Sequence, residues 1–313
     1  MGSVIQSLHH LTATVNEAQA DLDFYVALLG LRLVKKTVNF DNHHVFHFYY
    51  GNEHGNPGTI MTTFPYQGHG IPVGRIGAGQ VTVTSFSVPE ASIPAWRERL
   101  AAHQIEITSE DTRFGEPVLT FDDPSGLAIE LIGTPDPRAP WTAGSVDPAM
   151  AIRGIHSVTL SIQHPARTLD LLQGPLGFTS QGAEGSRRRL SVGSGGGGHL
   201  VDVLETPSLH AGWNGLGTVH HVAFAIGTGA EQLTIREELR RLGLHVTEVR
   251  DRQYFTSIYF REPGGVLYEI ATLPPGFTVD EDLDRLGLAL KLPPWEEPNR
   301  ELIERGLPPI VHP

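Results

Sequence analysis

A chain of 313 residues with 40% apolar and 8% aromatic content is long enough for two ordinary domains with packed cores. Its 35 acidic residues outweigh 23 basic ones to give a formal charge of -12, which offers no basic surface for a phosphate backbone, so nucleic acid is not expected as a partner. The absence of cysteine excludes disulfides, thiolate nucleophiles and sulfur-ligated metals, and fits the reducing cytoplasm as the expected compartment. Met1-Gly2-Ser3 loosely resembles a myristoylation start, but Gln6 stands where Ser or Thr is required. No basic, apolar leader follows, and no stretch reaches the ~20 apolar residues that span a bilayer, so neither a signal peptide nor a membrane span is expected. Sixteen histidines leave imidazole ligation and proton transfer as the natural chemistries.

Along the chain, one unit recurs four times. The first, about residues 7–66, opens with the strand His9-His10-Leu11-Thr12-Ala13-Thr14-Val15, followed by a helix pattern carrying Leu22, Tyr25, Val26 and Leu29 and closed by Gly30. The second, about 79–134, opens at Thr82–Val88 and has a helix marked by Trp96, Leu100 and His103, but ends in Ala102-His103-Gln104 without glycine. It places a turn at Asp123-Pro124-Ser125-Gly126 before its last strand. Residues 135–152 are proline-rich and aperiodic and read as a linker. The third unit, about 153–206, opens at His156–Ile162 and closes its helix at Leu176-Gly177-Phe178. Its run Gly193–Gly198 reads as a slack hairpin loop, because no helix N-terminus follows to make a phosphate cradle. The fourth, about 217–273, opens at His220–Ile226, closes its helix at Leu242-Gly243-Leu244 and turns at Glu262-Pro263-Gly264-Gly265, leaving a tail at 274–313.

Each unit is β-α-β-β-β, and glycine after a helix supplies the left-handed residue that stops it. A lone unit cannot cover its sheet face, so units must pair and curve around shared cavities. The expected fold is α+β, four βαβββ modules forming two paired open barrels, with an N-terminal domain at 1–134 and a C-terminal domain at 153–313.

Aligning the units isolates a metal site. In the opening strands the paired columns read His9-His10, Thr82-Val83, His156-Ser157 and His220-His221. Four residues beyond the glycine that precedes each last strand stand Thr62, Glu130, Asp202 and Glu269. Pairing the first and fourth units combines His10, His221 and Glu269 with Thr62, which is two imidazoles, one carboxylate and a place without a strong ligand: the facial triad of a non-haem Fe(II) oxygenase. Other pairings give one imidazole or none. Glu130 and Asp202, lacking imidazole support, are expected to be structural, and His43, His44 and His47 to be structural or surface residues. A slip of one residue would exchange His10 for His9, since strand side chains alternate faces.

These residues resemble the vicinal oxygen chelate superfamily and, within it, the hydroquinone-cleaving ring dioxygenases of the chlorohydroquinone 1,2-dioxygenase kind. The resemblance runs through Leu8–Thr12, Gly55–Pro65, Thr112–Gly115, Val219–Ala225, Pro263–Glu269 and the tail Gly276–Asp282. It implies the vicinal oxygen chelate fold, a cavity shared by the first and fourth units, metal ligands at His10, His221 and Glu269, and supporting residues at His9, Thr12, His220, Arg252 and Tyr259. A tail segment through Asp280-Glu281-Asp282 is implied to pack near the site. The chain departs from the family at Gly193–Gly198 and at Gln253-Tyr254, which bears on ring-substituent preference.

The expected activity is Fe(II)-dependent opening of a hydroquinone or catechol-like ring by O2, with Mn(II) as a substitute metal. His9 or His220 is the expected base, Arg252 would stabilise anionic oxygen and Tyr259 would donate to the substrate. Two alternatives use the same scaffold: a glyoxalase-type isomerase or lyase, which wants a fourth protein ligand that Thr62 does not supply, and a non-catalytic protein that sequesters small aromatics. Edge strands leave room for pairing between chains, so a homo-oligomer is also expected.

Overall fold

The computed structural model describes residues 4–313, so Met1, Gly2 and Ser3, part of the stretch read for a leader, lie outside the described residues. Every unit has four strands. They are β1 Ile5–Val15, β2 Arg32–Asn39, β3 Asn42–Gly51 and β4 Ile60–Pro65 in the first; β5 Gln80–Val88, β6 Ile107–Arg113, β7 Glu116–Asp122 and β8 Ala128–Gly133 in the second. The third has β9 Gly154–Ile162, β10 Thr179–Glu184, β11 Arg187–Ser191 and β12 Leu200–Glu205, and the fourth β13 Thr218–Ile226, β14 Arg250–Asp251, β15 Thr256–Arg261 and β16 Leu267–Thr272.

The strands form two eight-stranded sheets. One runs β14-β15-β16-β13-β1-β4-β3-β2 and joins the first unit to the fourth; the other runs β10-β11-β12-β9-β5-β8-β7-β6 and joins the middle pair. Sheet continuity therefore cuts across the division into residues 1–134 and 153–313. At the centre of each sheet the opening strands of two units meet antiparallel, β1 on β13 and β5 on β9.

The aligned columns are columns of the actual sheets. Thr62 pairs with Thr12, Glu130 with Ser85, Asp202 with Thr159 and Glu269 with Ala223, in each case two residues beyond the opening-strand column. Because the step is even, every pair lies on the same face as that column.

Apolar helix residues seat on the sheets as the periodicity requires: Leu22, Tyr25 and Leu29 are buried in the first unit, Trp96 and Leu100 in the second. The first helix begins as α-helix at Ala18–Leu22 and widens into π-helix at Asp23–Leu28, with the Leu29 amide donating to the Phe24 carbonyl. Gly30, Gly177 and Gly243 end their helices at φ +73°, +70° and +84°, and in the second unit Gln104 takes that conformation at +60°. Gly193–Gly198 spans the β11–β12 hairpin. Arg138, in the linker, bridges the two sheets by donating to the carbonyls of Gly58 and Ile155. The tail folds back on β2, where buried Lys35 meets Asp280 at 2.6 Å and Glu281 at 2.5 Å. Among the described residues, no helix is long and apolar enough to cross a membrane.

Candidate metal centre

Two rows of register partners cross the middle of the first sheet. One is Tyr49–Thr62–Thr12–His221 and the other is Tyr259–Glu269–Ala223–His10, and a pseudo-twofold between the first and fourth units exchanges them. The rows abut where β1 meets β13. His221 Nε2 lies 2.8 Å from Glu269 Oε2, His10 Nε2 lies 3.3 Å from the same oxygen, and the two ring nitrogens are 3.3 Å apart. All three side chains are buried.

Although both imidazole nitrogens stand against it, Glu269 Oε2 accepts no well-aligned hydrogen bond among the described residues. Burial alone would raise the Glu269 carboxyl, but His10 and His221 outweigh it and hold it well below the usual range. Donors about 2.1 Å from one ion and at right angles stand about 3 Å apart, so this set fits a divalent cation. Within the described residues it is the group of three His or carboxylate side chains that converges this closely.

The surrounding residues hold the donors in place. His9 Nδ1 is 2.8 Å from His10 Nδ1, and His220 Nδ1 is 2.8 Å from His221 Nδ1, the same contact on both sides of the pseudo-twofold. Ser257 Oγ donates to Glu269 Oε1, which leaves Oε2 for the converging set. Burial, then the adjacent His10, pushes the His9 imidazole down to about 3; burial and His221 do the same to His220. Both stay neutral at ordinary pH, which suits an acceptor for a neighbouring Nδ1–H better than a base that takes up a substrate proton.

A cavity of about 220 Å³ opens over this centre. His10, Thr12, His220, His221, Arg252, Tyr259 and Glu269 line it; His9 lies behind, against Phe255. Arg252 Nε donates to the Tyr259 hydroxyl at 3.0 Å and its terminal nitrogen to Asp41 at 3.1 Å. Burial, then Glu269, pushes the Tyr259 phenol up, so it remains a donor.

Two contributors have no role at the site in the sequence reading. His47, grouped there with structural or surface histidines, lines the cavity, with Nε2 3.0 Å from Thr62 Oγ1, which in turn donates to Thr12 Oγ1 at 2.8 Å. The signal for it was present: His47 and Tyr49 share a face of β3, and that face is the one carrying Thr62's neighbours. Ser257 had no such signal, because only the β15–β16 pairing brings it to Glu269. His43 stays outside the cavity, 3.2 Å from Glu296, and Tyr254 is buried behind it, with its hydroxyl on Asp280. The tail thus packs behind the site and not in it.

The family profile of the Glyoxalase/Bleomycin resistance protein/Dioxygenase superfamily matches residues 7–131 and 154–270. The chain belongs to this superfamily. Over 99% of its length and 98% of the relative's, it is 44% identical to a Bacillus subtilis protein provisionally named ring-cleaving dioxygenase MhqO. A chlorohydroquinone/hydroquinone 1,2-dioxygenase of Sphingobium indicum is 36% identical over 98% of both chains. A crystal structure of a Bacillus subtilis protein, provisionally described as a dioxygenase, superposes at a TM-score of 0.95, with 43% identity over 100% of this chain and 99% of that one. Superfamily members pair βαβββ modules into open barrels, which is the architecture of both sheets here.

Proposed function

We propose that this protein is an Fe(II)-dependent dioxygenase that inserts O2 into a hydroquinone or catechol-like ring and opens it. The observation that carries the reading is the buried, unsatisfied Glu269 Oε2 between two imidazole nitrogens, with no fourth His or carboxylate beside it among the described residues. Thr62, the pseudo-twofold counterpart of Glu269, is tied to Thr12 and His47 and leaves that side open for reactants. A glyoxalase-type isomerase would want a ligand there.

His10, His221 and Glu269 would hold the metal. Fe(II), with Mn(II) as a substitute, supplies when bound the redox step that a singlet ring and triplet O2 cannot make directly. With both Nε2 lone pairs turned to the centre, His10 and His221 carry their protons on Nδ1 and donate them to His9 and His220. Arg252 holds Tyr259 at the cavity wall, where the phenol donates to an oxygen of substrate or product and the guanidinium offsets developing negative charge. A reducing cytoplasm, which preserves Fe(II), is the proposed compartment.

The test is to load the protein anaerobically with Fe(II) and follow O2 uptake and ring-opening absorbance with a panel of hydroquinones and catechols. Stoichiometric O2 consumption is expected. No uptake with any ring, together with hemithioacetal isomerisation, would replace the reading with the glyoxalase one; tight binding without turnover would mark a sequestering protein.

A further inference from the structure

β2 is an end strand of the first sheet, so one side of its backbone has no strand partner. The tail fills part of that side: Leu290 bridges Lys36 in parallel, and the Lys291 amide donates to the Lys36 carbonyl at 2.9 Å. Leu292 then buries itself beside Val38 and Ile303, with Phe40 packed against them. Pro293 and Pro294 have no amide hydrogen and end the pairing, and the chain turns there, the Glu296 amide closing on the Pro293 carbonyl. That turn sets Trp295 edge-on to Phe40, at a centroid distance of 5.6 Å, and Glu296 against His43.

An earlier stretch of the same tail holds the other end of that sheet, just past β14. The Gly276 amide donates to the Tyr254 carbonyl at 2.9 Å, and the Tyr254 hydroxyl donates to Asp280 at 3.1 Å. Phe40 and Asp41 from the first end and Arg252 and Phe255 from the other line the cavity; among the described residues, no tail residue does. In front, Asp41 closes onto Arg252, which in turn holds Tyr259. The Asp41 side chain is 60% exposed, so solvent weakens that pair and it is a poor fastening for the mouth by itself. The tail grips both sides from behind.

We infer that the tail is a brace that positions both sides of the cavity mouth, and that Trp295 and Glu296 act through Phe40 and His43 to keep Asp41 within reach of Arg252. Neither is a catalytic residue; each is a positioning residue for the Arg252–Tyr259 pair that faces a bound ring. The effect on ring binding rests on the reading above, and the bracing itself does not.

Hydrogen exchange of the full-length chain reads the bracing with no ring present and no turnover. Trp295 is 46% exposed, so Trp295→Ala opens no large core cavity and should fold. It should exchange about tenfold faster at residues 36–45 and, across the mouth, at 250–255, with the middle-sheet hairpins at 113–116 and 184–187 unchanged. Trp295→Phe, which keeps an aromatic edge on Phe40, should exchange as wild type does, and Glu296→Gln should shift the same two segments less. In the Fe(II)-loaded protein held anaerobic, Trp295→Ala should weaken whichever of hydroquinone and catechol the wild type binds about fivefold, and add nothing to the loss from Asp41→Asn, since both act through one contact. Faster exchange at 36–45 alone, equal quickening of the middle-sheet hairpins, or additive affinity losses would overturn the inference. If both segments loosen as expected but no ring binds and O2 is never consumed, the inference stands and the dioxygenase reading falls; O2 consumption with unchanged exchange sinks the inference alone.

Discussion

The two sheets share one plan, and they treat their buried carboxylates in opposite ways. In the sheet of the middle units, Arg113 meets Glu130 with two hydrogen bonds of 2.8 and 2.7 Å, and Ser85 adds a third. Asp202 is clasped by Arg189 at 2.8 and 3.0 Å, with Arg187 at 3.2 Å. In the sheet of the outer units, Glu269 has one hydroxyl, from Ser257, and an oxygen left unsatisfied between two imidazoles. A buried carboxylate that stays ionised calls for a cation. One sheet supplies it permanently as guanidinium, and the other sets two imidazoles against the carboxylate in an arrangement that fits a metal.

The divergence follows the neighbours of two corresponding arginines. Arg113 and Arg252 occupy corresponding places, each followed by a left-handed residue, Phe114 and Gln253. Beside Glu130 stands Thr120, too short to intercept Arg113; beside Glu269 stands Tyr259, whose hydroxyl takes the Arg252 Nε–H while Asp41 takes the other end. Tyr259 thereby keeps an arginine off the carboxylate that the proposed metal needs.

The largest effect is expected on the outer sheet. His10→Ala should abolish iron retention, measured by metal analysis after desalting, with an unchanged circular dichroism spectrum; the loss should exceed the ~10–100-fold typical of residues that merely orient a ligand. Iron that stays bound would remove His10 from the triad. Arg113→Ala tests the opposite sheet: leaving Glu130 buried and unpaired should cost about 3–5 kcal/mol in urea unfolding, while iron content is preserved. An intermediate effect should erase the contrast. Tyr259→Thr, which copies Thr120, should let Arg252 turn to Glu269 and weaken iron binding roughly 10–100-fold, and the double change with Arg252→Ala should recover it. Additive losses in the double variant would refute the interception.

The smallest effect is on acid stability. His156 and Arg189 overcome the upward push of burial and draw the Glu116 carboxyl from its ordinary 4.5 down to about 2. Its folded value is depressed, so its contribution is complete above pH 4.5 and lost as pH falls through about 2. Because Glu116 is partly exposed, solvent screening limits this to less than about 1 kcal/mol, read as a shallower acid limb in the stability curve of Glu116→Gln.

Much of this was legible along the chain. The four openings, the helix periodicities and the glycines at 30, 177 and 243 are local features, written in backbone preference and one-dimensional spacing, and Gln104 shows that the left-handed stop belongs to the position and not to glycine alone. The columns holding His10, His221 and Glu269 were also legible, because a repeated unit repeats its register. What the chain could not display is which strand lies beside which. The approach of Ser257 to Glu269, the chain from Thr12 through Thr62 to His47, and the choice between Tyr259 and Thr120 as an arginine's neighbour all arise from pairings between distant strands. Residue type and spacing determined the units and the three converging donors. Only the order of strands in the two sheets decided what surrounds those donors, because side-chain contacts across a sheet depend on partners that local sequence does not specify.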